Sequence, residues 1–125
     1  MSGHSSKPEN LAVIPRLWRA FRWSLAGIRS AYRHEQSFRI EIAAFPAVIL
    51  FALLISDSIW QGAIMIGGWL VLLAVELLNS GIEAAIDRIS ADQHPLSGRA
   101  KDVGSAAVLM LFLANLLLWI AALID

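Results

Sequence analysis

Three uncharged runs dominate the pattern of apolar and polar positions along the chain. They are Ile42 to Ser56, Ser58 to Val75 and Val103 to Ile124. A helix rises about 1.5 Å per residue and must cross about 30 Å of hydrocarbon, so the second and third runs are long enough and the first is marginal. A span at the first run therefore has to include residues beyond the ends of the run, such as Arg39 and Glu41, whose charged groups can snorkel to the interface. The pattern predicts three transmembrane helices, at about 38–56, 58–87 and 102–124.

The composition is that of an integral membrane protein. The 125 residues are 58% hydrophobic and 16% charged, with a mean hydropathy of +0.64, and ordinary soluble domains are less apolar. The alternative, buried helices of a soluble bundle, leaves too little polar surface to cover three such runs. The chain has no cysteine, which excludes disulfides, thiolate metal sites and cysteine nucleophiles. Length and composition together predict a single all-α membrane domain over residues 15–125.

The basic residues lie on one side of the predicted spans. All of them precede the first run or lie between the second and the third: Lys7, Arg16, Arg19, Arg22, Arg29, Arg33, Arg39, Arg88, Arg99 and Lys101. By the positive-inside rule, the N-terminus and the loop from Arg88 to Asp102 face the cytoplasm. The residues after Met1 lack the apolar core and cleavage site of a signal peptide.

A helical period precedes the first span. Apolar side chains recur at steps of three and four residues from Leu17 to Tyr32, and arginines gather on another face. We predict an amphipathic helix at about 15–36 on the cytoplasmic leaflet, with its arginines at anionic headgroups. The alternatives are an ordinary solvated helix packed on the protein and, more weakly, a nucleic-acid-binding helix. Pro15 suits the first turn of this helix, and residues 1–14 are predicted to be disordered.

Polar residues continue the second run in the stretch VELLNSGIEAAID, residues 75–87. On a helix, five of them project within an arc of roughly 100°: Glu76, Asn79, Ser80, Glu83 and Asp87. Ionisable residues at the edge of a membrane segment are costly, so a function is the first interpretation, and pairing between helices is the alternative. Carboxylates with substrate phosphates suit Mg²⁺, and a glutamate at the boundary suits a general base for a lipid hydroxyl. The stripe indicates phosphoryl transfer.

The next stretch, SADQHPLSGRAKD, offers groups that bind phosphates. Arg99 and Lys101 supply charge, and His94 and Asp102 supply hydrogen bonds. It is not a P-loop, because GRAKDVGS lacks the G-x-x-x-x-G-K-[ST] spacing. Taken alone, His94 is more often an ordinary loop histidine than a ligand.

The stretches VELLNSGIEAAIDRIS and HPLSGRAKDVGSAAVL, with WSLAGIRSAYRHEQSFRIE upstream, resemble the prokaryotic diacylglycerol kinase family of small membrane enzymes. The likeness runs from about Arg16 to the C-terminus, and its E-x-x-N-S-x-x-E-x-x-x-D core is specific. It implies an ATP-dependent transferase of phospholipid biosynthesis in the bacterial inner membrane. It also implies a homotrimer of three-helix subunits, each with a surface helix, whose active sites are shared between subunits. The N-terminus would be cytoplasmic and the C-terminus periplasmic.

The resemblance implies roles for individual residues. Glu76 matches the proton acceptor for the lipid hydroxyl, Glu35 and Glu83 match the glutamates that hold Mg²⁺ with ATP, and Asn79 and Asp87 would orient them. Nucleotide contacts are expected from both metal ligands and from Arg16, Trp23, Asp92, Gln93, His94, Lys101 and Asp102. Lipid contacts are expected from Glu76 and from Ala20, Arg29, Ser37, Arg39, Glu41, Ser105 and Trp119.

Three functions stay open at this point. The first is phosphorylation of 1,2-diacylglycerol to phosphatidate, and the second is the same chemistry on undecaprenol. After A-K-D the chain reads VGSAAVL, which resembles the diacylglycerol branch more than the AAGAVL-like form of the undecaprenol branch. The third is a noncatalytic membrane scaffold or small ion transporter, which does not need Glu35, Lys101 and Asp102 together with the stripe. No nucleic-acid partner is expected.

Overall fold

The computed structural model describes residues 10–89 and 91–125. Its helices are α1 (Asn10–His34), α2 (Gln36–Ile55), α3 (Ile59–Ile89) and α4 (Pro95–Ile124), and the described part of the chain contains no strand. Helix α3 packs against both α2 and α4, and α1 contacts α2 and α3. Residues 1–9 of the predicted disordered N-terminus lie outside the described residues.

Three of these helices, α2, α3 and α4, are long and apolar enough to cross a membrane. Their outer faces expose large apolar side chains, among them Leu54, Leu78, Leu117 and Leu123. Contact between these faces and lipid tails carries no free-energy cost, whereas their exposure to water would be unfavourable. The backbone polar groups are satisfied within each helix, as the bilayer interior demands. The prediction of an all-helical membrane protein with three spans is confirmed for the described residues.

Helix α4 begins at Pro95, well before the predicted start at about 102. The Nδ1 atom of His94 accepts a hydrogen bond from the Leu96 amide at 3.1 Å, and a proline follows at the first helical position. These two features define the start of the helix, because the His94 side chain satisfies one of the free backbone amides and the proline has no amide hydrogen that needs a partner. The predicted start at about 102 followed the last charges before the apolar run, whereas the helix itself begins at this cap.

Helix α1 also begins earlier than predicted, at Asn10. The predicted disorder of residues 10–14 and the placement of Pro15 in the first turn are therefore corrected. The apolar stretch LAVI at 11–14 continues the helix toward its N-terminus. A proline so near that end costs only about one backbone hydrogen bond, so the helix continues past it.

A single residue, Glu35, separates α1 from α2. Its backbone is extended, with φ −111° and ψ 112°. Arg39 closes the junction, because its Nη1 donates to the carbonyl oxygens of Tyr32 and Arg33, each at 3.0 Å. The last carbonyls of a helix have no partner within the helix, so the guanidinium stabilises the end of α1. The extended conformation of this junction determines the direction in which the Glu35 side chain projects.

Buried contacts at three levels join the helices. Ala31, Phe38 and Leu73 form a cluster near the junction, and Ala52, Met65 and Ala122 form another at the opposite end of the bundle. Between them, Asn115 is 4% exposed, and its Nδ2 donates to the carbonyl oxygens of Gly68 at 3.1 Å and Leu111 at 2.9 Å. A Cβ atom at residue 68 would lie 3.0 Å from the Asn115 Oδ1. Glycine at 68 thus permits this polar contact between α3 and α4.

Candidate active site

Helix α3 carries a polar stripe, which we define as Glu76, Asn79, Ser80, Glu83 and Asp87. Side chains of the stripe contact α2, α4 and the junction between α1 and α2. Ser80 Oγ donates to Glu35 Oε1 at 3.2 Å, between α1 and α2. Lys101 Nζ on α4 donates to Asp87 Oδ1 at 2.7 Å. The carboxyl groups of Glu76 and Glu41 on α2 lie within hydrogen-bonding range of each other. The predicted residues of the stripe are thus joined to Glu35, Glu41 and Lys101.

Two glutamates form the buried end of the stripe. Glu76 is 7% exposed and Glu41 is 4% exposed. The backbone of α2 is fixed beside them, because Trp69 Nε1 donates to the carbonyl oxygen of Glu41 at 3.0 Å. Burying carboxyl groups is costly unless their interactions compensate. A pair of them inside an apolar bundle therefore indicates a chemical role.

The two predicted metal ligands lie at the middle of the stripe, Glu83 as part of it and Glu35 beside it. Glu35 lies against Ser80, and Glu83 is one turn further along the same face of α3, where Asn79 Nδ2 donates to Glu83 Oε1 at 3.5 Å. Both carboxylates are partly exposed.

The side-chain chemistry of Glu35 and Glu83 is of the kind that would hold a magnesium ion arriving with its nucleotide. Among the described residues, no three acidic, histidine or cysteine side chains are grouped as a metal site. Mg²⁺ commonly takes one or two carboxylates and completes its shell with substrate phosphates and water. Glu35 and Glu83 supply hard oxygen ligands of that number and kind.

Asn79 packs against a glycine of α4 so closely that a larger residue there would displace the Asn79 side chain. A Cβ atom built at residue 104 of α4 would clash with the Asn79 Oδ1, and that oxygen is buried with no hydrogen-bond partner among the described residues. Gly104 is itself buried. The close approach of α4 holds the amide with its Nδ2 toward Glu83.

We expect Gly104→Ala to lower the free energy of unfolding in detergent micelles by about 1–3 kcal/mol, because the added methyl group overpacks a tight contact. Gly67→Ala is the matched control, since nothing lies within 4 Å of a Cβ at residue 67. Both changes add the same helix propensity, so their difference in thermal or denaturant unfolding isolates the clash. Equal stability of the two variants would contradict the close approach.

A cavity of about 790 Å³ lies beyond the exposed end of the stripe. Its lining includes five of the predicted site residues: Asp87, Asp92, Gln93, His94 and Lys101. Its volume is within the range of small-molecule sites. The structure therefore brings four of the nine predicted nucleotide residues, Asp92, Gln93, His94 and Lys101, around one space that is open to the solvent.

Other predicted residues are not brought to the stripe. The side chains of Arg16, Ala20, Trp23, Arg29, Ser37, Asp102 and Ser105 are exposed. Arg39 uses its guanidinium at the end of α1. Trp119 packs against the buried cluster at the opposite end of the bundle, roughly 20 Å along α4 from Ser105.

Three features escaped the sequence prediction. Glu41, for which lipid contact was expected, lies beside Glu76; Gly104 makes room for Asn79; and Trp69 donates to the backbone at Glu41. The helical period offered one signal, because Trp69 and Glu76 are two turns apart on the same face of α3. No pattern in the sequence indicated which residues of other helices would contact Asn79 and Glu76.

Comparison with known proteins gives consistent results. Residues 22–123 match the family model described as prokaryotic diacylglycerol kinase. A diacylglycerol kinase of Escherichia coli (strain K12) is 40% identical over 111 residues, which are 88% of this chain and 90% of that protein. A diacylglycerol kinase of Pseudomonas aeruginosa is 46% identical over 94 residues, 75% and 76% of the two chains. One from Haemophilus influenzae is 38% identical over 95 residues, 76% and 80% of the two chains.

Proposed function

Because this chain belongs to the prokaryotic diacylglycerol kinase family, we propose that it transfers the γ-phosphoryl group of ATP to the primary hydroxyl of 1,2-diacylglycerol. The products are phosphatidate and ADP, and the reaction returns diacylglycerol to phospholipid metabolism. One observation carries the proposal. A single helix face joins a buried carboxyl, Glu76 at 7% exposure, to an open polar cavity lined by Asp87 and Lys101.

The length of this face suits substrates from two solvents. From Glu76 to Asp87 the helix rises about 16 Å. Its buried end lies among apolar side chains, where a lipid hydroxyl arrives, and its other end meets water, where a nucleotide arrives. Glu35 and Glu83 lie between these ends, which suits them to the γ-phosphate.

Glu76 is the base in the proposed reaction. The lipid hydroxyl oxygen attacks the γ-phosphorus while its proton moves to the Glu76 carboxylate. The bond from the γ-phosphorus to the bridging oxygen breaks, and its electron pair leaves with ADP. Mg²⁺ held by Glu35 and Glu83 would neutralise charge on the phosphate oxygens. The transition state of phosphoryl transfer is loose, so these residues act by positioning and electrostatics.

Residues around the cavity bind the nucleotide in this proposal. Lys101, held by Asp87 at 2.7 Å, contacts phosphate as a point charge. Asn79 orients Glu83. Further nucleotide contacts come from Arg16, Trp23, Asp92, Gln93, His94 and Asp102.

Helix α1 is proposed to lie on the cytoplasmic surface of the bacterial inner membrane. Its exposed Leu17, Trp18, Phe21 and Leu25 suit the headgroup boundary, and its arginines suit anionic lipids. The basic residues then keep the N-terminus cytoplasmic and the C-terminus periplasmic. Lipid contacts come from this helix, its junction with α2 and one face of α4: Ala20, Arg29, Ser37, Arg39, Ser105 and Trp119.

We further propose that three copies assemble and share their active sites. The exposed apolar faces of α2, α3 and α4 are available to neighbouring copies as well as to lipid. Packing between such helices depends on close van der Waals contact and interhelical hydrogen bonds.

The substrate is tested by competition. Purified protein in mixed micelles with MgATP is offered diacylglycerol and undecaprenol at equal mole fraction, and the phosphorylated lipids are separated. We expect a higher kcat/KM for diacylglycerol. Preference for undecaprenol would reverse the substrate assignment, and phosphorylation of neither lipid would refute the kinase.

A further inference from the structure

Two buried carboxyl groups face each other at the lipid end of the stripe, and the proposed reaction uses only one of them. Glu41 and Glu76 lie on different helices, within hydrogen-bonding range, at 4% and 7% exposure. Two negative charges at this separation in an apolar bundle repel strongly and are poorly solvated. A pair that holds one proton avoids both costs, because one carboxyl then donates a hydrogen bond to the other.

The surroundings distinguish the two members of the pair. Among the described residues, Oε2 of Glu41 is buried without a hydrogen-bond partner, and Glu41 is the more buried of the two, at 4% exposure against 7% for Glu76. An unpartnered buried oxygen is a poor location for negative charge. The proton therefore belongs on Glu41 and the charge on Glu76.

We propose that Glu41 is a positioning residue for the base, whose protonated carboxyl donates a hydrogen bond to the Glu76 carboxylate. This contact keeps the negative charge on Glu76 and fixes its side chain toward the lipid hydroxyl. The hydrogen bond from Trp69 to the Glu41 backbone holds the donor in place. The inference rests on the proposed function and changes the role of Glu41 from lipid contact to support of the base.

The proton balance of one turnover is simple. The hydroxyl O–H bond breaks and an O–H bond forms at Glu76, while the Glu41 proton stays where it was. The proton on Glu76 returns to water before the next turnover. Glu41 thus acts in every cycle without being consumed.

The test compares Glu41→Gln, which keeps an N–H donor, with Glu41→Met, which has a similar length and no donor. A hydrogen bond to a charged group is lost in the second, so we expect its kcat to fall by roughly 10- to 100-fold with the KM for MgATP unchanged. Glu41→Gln should recover most of that loss. Glu76→Gln in the same assay should be nearly inactive, although it makes the same chemical change on the other member of the pair.

Each contrary result has a distinct meaning. Equal inactivity of Glu41→Gln and Glu76→Gln would overturn the inference, and so would wild-type kcat in Glu41→Met. A higher KM for lipid with unchanged kcat would return Glu41 to lipid contact. If Glu41→Met fails to fold, the two glutamine variants still decide. Failure of the wild-type protein to phosphorylate diacylglycerol would refute the proposed function itself, which separates the two failures.

Discussion

Glu76→Gln is expected to lower turnover by at least about a hundredfold while the protein stays folded, since general bases contribute 10²–10⁴-fold. Glutamine has nearly the shape of glutamate and keeps a hydrogen-bonding oxygen, but it cannot accept the hydroxyl proton. The KM for MgATP should change little, because Glu83 lies about 10 Å further along the helix. Steady-state kinetics in mixed micelles, with circular dichroism as the folding measure, gives the result.

The control for Glu76→Gln is Asp57→Asn, which also removes one acidic charge. Asp57 lies between α2 and α3, and its backbone amide donates to Gln61 Oε1. It takes no part in the proposed site and should keep wild-type turnover. Near-wild-type turnover in folded Glu76→Gln would refute the assignment of the base.

Glu83→Gln is expected to weaken the use of MgATP, with the KM rising by about tenfold or more and the magnesium requirement rising with it. A hydrogen bond or ligand to a charged group is commonly worth 1.5–3 kcal/mol, which is roughly 10- to 150-fold. The same direction is expected for Glu35→Gln. Titration of Mg²⁺ at fixed ATP measures both effects.

The double variant makes this second prediction sharper. Because Glu35 and Glu83 are proposed to hold one ion, removing the second should cost less than removing the first, so their effects should not add. Additive effects, or a magnesium dependence equal to that of the wild type, would contradict a common site.

Much of the fold could be predicted because a helix that crosses a membrane needs a long run of uncharged residues, which is visible in the sequence. Uncharged runs identified α3 and α4 as spans by their length, and α2 once residues at the ends of its shorter run were included; the prediction holds for the described residues. The starts of α1 and α4 could not be read in this way. At α4 the backbone is helical through polar sequence, and the His94 cap and Pro95 decide the boundary. At α1 the helix continues through the apolar residues 11–14, beyond a proline that the sequence suggested as its first turn.

The stripe on α3 was predictable for a related reason. Residues spaced by three, four and seven positions share a helix face whatever surrounds them. The pairing of Glu76 with Glu41, and of Asn79 with Gly104, depends on how separate helices pack, which no local period contains. The specific roles of base and metal ligand came from the family resemblance and remain proposals for these residues.

The carboxylates that follow an apolar run on α3 thus have a physical explanation. One substrate dissolves in lipid and the other in water, so the proposed active site needs a continuous face from buried to exposed. Glu76 at one end and Asp87 at the other provide it, with Ser80 and Glu83 between them.

The most direct test of this account follows a labelled γ-phosphate. Purified wild-type protein in micelles with Mg²⁺, labelled ATP and 1,2-diacylglycerol should move the label into an organic-soluble product identified as phosphatidate, and Glu76→Gln should not. Label that stays on ATP or appears only as inorganic phosphate, from protein shown to be folded, would contradict the account.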